Sequence, residues 1–579
     1  MGRLTRAIAI AWAVLDSLAR FLFRAVTIVT MLAFLAIAAA FAFGLLKPPA
    51  LPERLTLQIA IPGVLPDMSS LTSILAAVAG QPQPALFEVT DALYTAAADR
   101  RVGAVVAELG PGPFDLAQNQ AIAAALAAVR TAGKPTYVYS DSFGELSPGY
   151  AAYHLACAFD EIWLQPVGQL ATTGIALEST FYGGLLTTLG VKPELGFRQE
   201  YKTVQHHLLF AGPTEPQAAM MTDLAQSLQR QTEQAIATGR GLTAERVHEL
   251  LDGAPYDDGQ ALAQGLVDRL GYRDELLQKV MQAKGTPVPL LTYLRQTDRR
   301  YNQSGDAAAS VGLVALSGSI ERGARPGTNL LQGSSQGASS IAQTIARLAS
   351  QERIKAIILR VDSPGGSPAA AETIHRAVQQ ARARGKPVIV SMASVAGSGA
   401  YWLAAGADRI VAESATLTGS IGVAGGKLDV SQLLANLMVG TTQVEAAEHA
   451  GMWSMARGYA PEELAARDRL LDRTYERFVA RVEAGRHLDP QAVGRIAKGR
   501  IWTGAEAREL GLVDRLGGLE AAIEEARTLL SLEQATPINL VRANHANGLP
   551  QLLKSMLAAA MENVRMMLEL ALPTLRIVA

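Results

Sequence analysis

The amino-acid sequence predicts an α/β protein that consists of two tandem copies of one unit, preceded by a single transmembrane helix. Three observations lead to this fold class: an uncharged stretch near the N-terminus, a set of sequence patterns that recurs later in the chain, and short strand-like runs that alternate with helix-like runs. With 579 residues the chain is too long for one ordinary core. Because 49% of the residues are hydrophobic, the chain can bury large cores.

The candidate transmembrane anchor is the segment 25–46, AVTIVTMLAFLAIAAAFAFGLL. At about 1.5 Å per residue, these 22 residues can cross a hydrocarbon core of roughly 30 Å. A cleaved signal peptide is the alternative, because small residues lie near the end of the segment. That apolar region would be unusually long for a signal peptide and starts late in the chain. We therefore favour an anchor.

The charges before the anchor predict its orientation. Residues 1–24 contain four arginines and one acidic residue, and 4–23 has the pattern of an amphipathic helix that lies on the membrane. The positive-inside rule places this N-terminal segment in the cytoplasm and the body outside. In a bacterium the body is then in the periplasm, held at the inner membrane.

The body is a tandem duplication. Three pairs of similar segments recur at an offset that drifts only between 246 and 252 positions: 265–271 with 511–517, 101–109 with 353–361, and 151–164 with 399–412. Small changes in loop length explain the drift. The repeat predicts three parts: an N-terminal unit at 54–295, a C-terminal unit at 310–535 and a helical tail at 536–579.

Each unit follows the order strand, helix, strand, helix. In the second unit, 311–318, 356–363 and 386–394 are strand-like, while 368–385 and 399–407 have helical periodicity. Short strands that alternate with helices imply parallel βαβ units.

Net charge and cysteine content narrow the possible partners. The formal net charge of −1 gives no reason to expect nucleic acid as a partner. The single cysteine, Cys157, excludes an intrachain disulfide framework and a cysteine-rich metal site.

Three segments of the second unit lie where an acyl-transfer site needs them. The turn DSPGGS at 362–367 closes a strand with two glycines, whose backbone N–H groups can approach a ligand. Ser398 lies between a strand and a helix, so the N–H of Gly399 can donate to a developing oxyanion. Ser420 and Thr418 lie on a further turn. Each feature also has a purely structural interpretation, as a tight turn or a backbone cap.

A serine nucleophile needs a base, and two residue types are available. The eight histidines form no convincing triad, because none precedes an obvious orienting carboxylate. A lysine is the other option, if burial lowers its pKa. Lys202 lies beside Tyr201 and close to an apolar run, but such a lysine is more often a solvated charge. The residue pattern alone does not select it.

Taken together, five motifs resemble the signal peptide peptidase A family in its long, duplicated form: RVDSPGGS, SVAGSGAYWLA, LTGSIGV, RIWTGAEARELGLVDRLG and, in the first unit, EYKT. The resemblance covers about residues 50–540, with an N-terminal anchor in the expected place. It implies a Clp-protease/crotonase-like fold in each unit, a homotetramer, and a membrane-bound serine–lysine protease that degrades remnant signal peptides.

The resemblance also implies a role for each candidate residue: nucleophile Ser398, general base Lys202, lysine-orienting Ser420, and oxyanion-hole donors Gly365 and Gly399, with Gly366 as the alternative to Gly365. One departure concerns the lysine. This chain reads YKTVQHHLLF where similar proteins read YKSA followed by an acid, proline and phenylalanine. The surroundings of Lys202, and with them its pKa, are the open point of the assignment.

The duplication offers an internal comparison. At an offset of 248, Ser398 corresponds to Tyr150 and Ser420 to Thr172, while Lys202 corresponds to about Ala450. The glycine turn corresponds roughly to LGPGPF, which lacks the glycine pair. Each unit has lost what the other has kept, which predicts one composite site per chain.

The resemblance thus implies a serine endopeptidase that needs no metal or cofactor and acts on signal peptides and short hydrophobic peptides beside the lipid bilayer. Two alternatives remain. An inactive membrane scaffold of the same fold is conceivable because the surroundings of Lys202 are altered. A crotonase-like acyl-CoA enzyme is less favoured, because CoA is cytoplasmic and the body is expected outside.

Overall fold

A computed structural model describes residues 50–68, 83–297, 309–324, 328–329, 333–533 and 536–543. The predicted anchor at 25–46, the segment before it and residues 544–579 of the predicted tail lie outside these ranges. Within the described ranges, no helix is both long enough and apolar enough to cross a membrane. Both halves of the body belong to one compact unit that begins at Glu53.

The first half contains a six-stranded parallel sheet with the strand order β6-β4-β3-β2-β1-β7. Its strands, together with β5 that lies outside this sheet, are β1 (Leu55–Ile61), β2 (Val102–Leu109), β3 (Thr136–Ser140), β4 (Glu161–Leu164), β5 (Lys192–Phe197), β6 (Arg269–Leu270) and β7 (Thr286–Pro289). The helices are α1 (Leu86–Ala98), α2 (Leu116–Thr131), α3 (Tyr150–Ala156), α4 (Gly183–Leu189), α5 (His206–Leu209), α6 (Glu215–Arg240), α7 (Ala244–Asp252), α8 (Asp258–Ala263), α9 (Arg273–Lys284) and α10 (Leu290–Gln296).

The second half has an eight-stranded sheet, six strands of which repeat the first sheet in parallel, in the order β18-β14-β13-β12-β8-β19. The other two strands are β15, which also pairs with β13, and β17, which pairs antiparallel with β15. The strands are β8 (Ala309–Ser317), β9 (Ser319–Glu321), β10 (Thr328–Asn329), β11 (Gly333–Gly337), β12 (Ile354–Ser363), β13 (Val388–Gly397), β14 (Arg409–Ala412), β15 (Leu417–Gly419), β16 (Ala424–Asp429), β17 (Ile501–Thr503), β18 (Arg515–Leu516) and β19 (Ile538–Arg542). The helices are α11 (Ala338–Ala349), α12 (Pro368–Ala383), α13 (Gly399–Ala404), α14 (Ser431–Asn436), α15 (Pro461–Arg486), α16 (Pro490–Ile496), α17 (Gly504–Glu509) and α18 (Leu519–Leu529).

The strand registers confirm the α/β class and the duplication. Val105 lies opposite Thr136 in the first sheet, and Ile357 lies opposite Val388 in the second, an identical offset on both strands. A hydrogen bond from a tyrosine on equivalent helices also recurs. The hydroxyl of Tyr153 on α3 donates to Leu266 O at 2.7 Å, and the hydroxyl of Tyr401 on α13 donates to Leu512 O at 2.8 Å.

The structure differs from the predicted end of the second unit at residue 535. Strand β19 lies within the predicted helical tail, yet it pairs in parallel with β8, from Ile538 opposite Ala309 to Arg542 opposite Leu313. It takes the place that β7 takes beside β1 in the first half. The second unit therefore extends at least to Arg542.

The central strands of the second sheet are buried on both faces, which explains their continuous apolar sequence. On one face Leu359 belongs to a core cluster with Ile341 and Ile374 of α11 and α12. On the other face Ile358 belongs to a cluster with Ile523 of α18. This double cover makes the carboxyl ends of β12 and β13 a rigid base for the loops that follow them.

Candidate active site

Loops from both halves meet at the carboxyl ends of β12 and β13. An antiparallel ribbon joins the halves here, because β5 of the first half pairs with β16 of the second. Just after β5, the N–H of Arg198 still donates to Val423 O at 2.9 Å. This ribbon carries Lys202 across to the second half, where Ser398 follows β13 and Ser420 follows β15.

The structure brings together Lys202, Ser398 and Ser420. The Nζ atom of Lys202 lies 3.0 Å from Ser398 Oγ, 2.9 Å from Ser420 Oγ and 2.8 Å from Ser420 O. A neutral amine has two N–H bonds and one lone pair. If it donates both hydrogens to the two oxygens of Ser420, its lone pair faces the hydroxyl of Ser398. The arrangement can therefore accept a proton from that hydroxyl.

Burial changes the acidity of the lysine. Only 4% of Lys202 is exposed, and this burial lowers its pKa to about 7. Two glycines allow the backbone of the second half to pack directly on Lys202. A Cβ on Gly499 would lie 2.5 Å from Lys202 N, and one on Gly422 would lie 3.1 Å from Lys202 Cδ. The ammonium form, which needs solvation, is therefore disfavoured.

The segment YKTVQHHLLF, in which the sequence departs from similar proteins, forms an aromatic contact beside the lysine loop, which is the loop 198–205 between β5 and α5 that carries Lys202. His206 is buried, and its ring centroid lies 4.9 Å from that of Phe197 and 4.9 Å from that of Phe210. Burial also lowers the pKa of His206, which favours its neutral form. The altered residues thus anchor the loop by packing and leave Lys202 buried.

Ser398 has a strained backbone. Its φ of 55° lies in a region that side chains other than glycine rarely occupy, and such strain is worth about 1–3 kcal/mol. The N–H of Ser398 donates to Gly419 O and its carbonyl accepts from Trp402, the first turn of α13, both at 2.9 Å. Ser420 has a φ of 51° as well. Both serines are held by backbone hydrogen bonds at the ends of strands.

Both glycines of the turn lie close to Gly399, but the N–H group that is available there belongs to Gly366 rather than to the predicted Gly365. The N–H of Gly365 donates to Ser363 Oγ at 3.1 Å and is therefore occupied. A Cβ on Gly399 would lie 3.2 Å from the nitrogen of Gly366. Among the described residues, the N–H groups of Gly366 and Gly399 have no hydrogen-bond acceptor. These two donors are free to bind an oxyanion, and the geometry does not favour Gly365 in that role.

No imidazole replaces the lysine in this cluster. In the described part of the chain, no histidine hydrogen-bonds to Ser398, and the mid-helix His375 is buried against Gln379, with 2.9 Å between Nε2 atoms.

The equivalent place in the first half lacks these groups. Tyr150 and Thr172, the counterparts of the two serines, are both buried. Asp115 and Ser367 cap equivalent helices, which puts Pro113 in the place of Gly365 and Phe114 in that of Gly366. The first half therefore lacks the glycine pair that lets backbone N–H groups approach a ligand with no Cβ in the way.

Sequence reasoning missed three supporting residues. Ser363 fixes the glycine turn through its hydroxyl, and Gly422 and Gly499 permit close packing on Lys202. Ser363 and Gly422 were already within the quoted motifs. Gly499 lies just before the quoted motif RIWTGAEARELGLVDRLG, outside every motif that was singled out.

Comparison with known proteins identifies the family. The description "Peptidase family S49" fits residues 128–286 and 380–533, one segment in each half and more than half of the chain in total. Protease 4 of Salmonella typhi is 28% identical over 501 residues, which cover 83% of this chain and 79% of that protein.

Two further relatives have similar names. Protease 4 of Haemophilus influenzae is 27% identical over 521 residues, 86% of this chain and 83% of that protein. A putative signal peptide peptidase SppA of Enterococcus faecium is 32% identical over 194 residues, 34% of this chain and 56% of that protein. The chain therefore belongs to peptidase family S49, as a serine-type peptidase with two S49 segments related to the signal peptide peptidases.

Proposed function

We propose that this S49 peptidase is an endopeptidase that uses Ser398 as nucleophile and Lys202 as general base. The observation that carries the proposal is the distance of 3.0 Å between Lys202 Nζ and Ser398 Oγ. The pKa of about 7 supports it further, because such a lysine is uncharged in a large share of molecules near neutral pH. The parallel α/β topology of both halves is consistent with a Clp-protease/crotonase-like fold.

In the proposed reaction, Lys202 takes the hydroxyl proton while Ser398 Oγ attacks the peptide carbonyl carbon. The N–H groups of Gly366 and Gly399 stabilise the oxyanion, and loss of one such donor typically costs about 3–4 kcal/mol. Protonated Lys202 then gives its proton to the leaving amine as the C–N bond breaks. A water molecule, deprotonated by Lys202, hydrolyses the acyl ester and restores Ser398.

We further propose that the substrates are cleaved signal peptides and similar short hydrophobic peptides, on the periplasmic side of a bacterial inner membrane. Three observations support this: the name of the relative from Enterococcus faecium, the uncharged segment 25–46, and the arginines that precede it. An anchor at 25–46 would hold the peptidase beside the bilayer, where hydrophobic peptides partition.

The proposed assembly is a homotetramer. Large apolar side chains are exposed in residues 437–455 of the second half, with Met438 94% and Val444 95% exposed. Exposed apolar side chains that are concentrated in one region are typical of protein interfaces.

Covalent labelling tests the dyad directly. A serine-reactive phosphonate should label the full-length protein at Ser398, as located by mass spectrometry, and should label Lys202→Met at least about a hundredfold more slowly at pH 7. Ser398→Ala is the control that should take no label at this peptide. An inactive scaffold or an acyl-CoA enzyme predicts no preferential label on Ser398 in the wild type, and that result would refute the proposal.

A further inference from the structure

One short segment of the second half, residues 498–502, touches both the lysine loop of the first half and the Ser420 turn. The N–H of Tyr201 donates to Lys498 O at 3.1 Å, and the N–H of Ser420 donates to Arg500 O at 2.8 Å. The backbone of this segment therefore links the loop that carries the base to the turn that orients it.

The side chain of Arg500 adds a second link. Its guanidinium lies between two aromatic rings, 5.2 Å from the centroid of Tyr201 and 4.7 Å from that of Trp502. It also forms an ion pair with Asp223 on α6 of the first half. Only 17% of the Arg500 side chain is exposed. A planar guanidinium can stack and pair at the same time, so it covers the ring of the residue next to Lys202.

The first half has no such side chain in the equivalent place. Tyr256 forms the antiparallel bridge that Trp502 forms in the second half. Ala254, two residues before Tyr256, therefore stands where Arg500 stands. The guanidinium is present only in the half that faces Lys202.

We propose that Arg500 is a positioning residue: it holds Tyr201 and Lys202 against the second half and keeps water from the Lys202 amine. This inference rests on the proposed Ser398–Lys202 dyad. Because burial is the cause of the lowered Lys202 pKa, water that enters beside the amine raises that pKa toward its ordinary value. The charged groups around the lysine loop are paired: Arg500 with Asp223, Lys498 with Glu200, and Arg198 with Asp468 and Asp472.

The test measures the rate at which a serine-reactive phosphonate labels Ser398 in the full-length protein, as a function of pH. In the wild type the rate should rise with pH, with a midpoint at about 7. In Arg500→Ala we expect a midpoint higher by about one unit and a rate about fivefold lower at pH 7, with the same plateau at high pH. Arg500→Lys keeps a charge for Asp223 but cannot stack on both rings, so its midpoint should be intermediate.

Arg382→Ala is the matched control, because it breaks a partly exposed ion pair with Asp408 elsewhere in the second half. Its midpoint should equal that of the wild type. If Arg500 has a purely structural role, Arg500→Ala should give a smaller labelled fraction without a shift of the midpoint, and that result would overturn the inference. If Arg500→Ala does not fold, the same result in Arg500→Lys would overturn it. If instead Lys202→Met labels Ser398 as fast as the wild type, the dyad itself is wrong.

Discussion

The two halves of the molecule share a sheet but not a site. Strand order and register agree from one half to the other. The residues at the strand ends differ: Tyr150 occupies the position in the first half that is equivalent to Ser398, and the first-half turn that corresponds to the glycine turn contains Pro113. The candidate catalytic residues come from different halves: the candidate base lies in the first half and the candidate nucleophile in the second. The scaffold is thus insensitive to the identity of the residues at its strand ends, while the site depends on contact between halves.

The long helices α6 and α15 show a second difference. Both have 26 residues and occupy equivalent places, yet α6 buries eight residues and α15 only three. The second half covers α6: Ser227 hydrogen-bonds to Thr503 at 3.1 Å, and Met220 Sδ accepts from Ile501. On the equivalent face of α15, Leu470 and Arg473 are exposed in the single chain, which suits the proposed homotetramer.

Lys202→Met should give the largest effect, because only the first half supplies a base. We expect cleavage of a hydrophobic peptide to fall by at least about a thousandfold at pH 7. In the wild type, activity should rise as pH increases through about 7, since the neutral amine is the active form. An enzyme whose activity stays constant across that range would contradict this role.

The same variant should be more stable than the wild type. Unfolding restores the ordinary lysine pKa of 10.5, so the unfolded wild-type chain binds more protons than the folded one between about pH 7 and pH 10.5. The stability of the wild type therefore rises with pH in this window. Below the window, the folded state bears the full free-energy cost of burying a charged lysine. We expect Lys202→Met to gain about 2–4 kcal/mol at pH 7, and almost nothing above pH ~11, in denaturant titrations.

Two leucines at equivalent helix positions give the next largest contrast. Leu224 of α6 is 4% exposed and Leu470 of α15 is 55% exposed. Leu224→Ala should lower the free energy of unfolding by about 2–4 kcal/mol, because it leaves a cavity at the buried face of α6. Leu470→Ala should change it by less than about 0.5 kcal/mol and instead lower the mass of the assembly in light scattering. An unchanged mass would argue against α15 as an interface.

The smallest predicted effect concerns the residue that orients the lysine. Ser420→Ala removes one of the two Ser420 oxygens that contact Lys202 Nζ and leaves the other, so kcat should fall about tenfold with KM little changed. Thr172→Ser, at the equivalent place in the first half, should keep wild-type kcat. Equal losses in both variants would show that position 420 acts through stability alone.

The motifs predicted the fold class, the duplication and the residues that meet at the site, because those depend on residue types and spacing. They did not separate Gly365 from Gly366. Both glycines have positive φ, 105° and 151°, and the direction of each N–H depends on hydrogen bonds to Ser363 and Ile320. The edge strand β19 was missed because five residues with little periodicity carry a weak signal. The burial of His206 depends on Phe197, which lies on a strand paired with the other half.

The ribbon of β5 and β16 has a consequence for the order in which the protein becomes active during its synthesis. Lys202 leaves the ribosome 196 residues before Ser398, and β16, which holds the lysine loop in place, follows later still. A nascent chain therefore carries a base without a nucleophile until its second half has emerged and paired. Under the proposed chemistry, the enzyme cannot cut hydrophobic peptides, the proposed anchor at 25–46 included, before both halves have folded together.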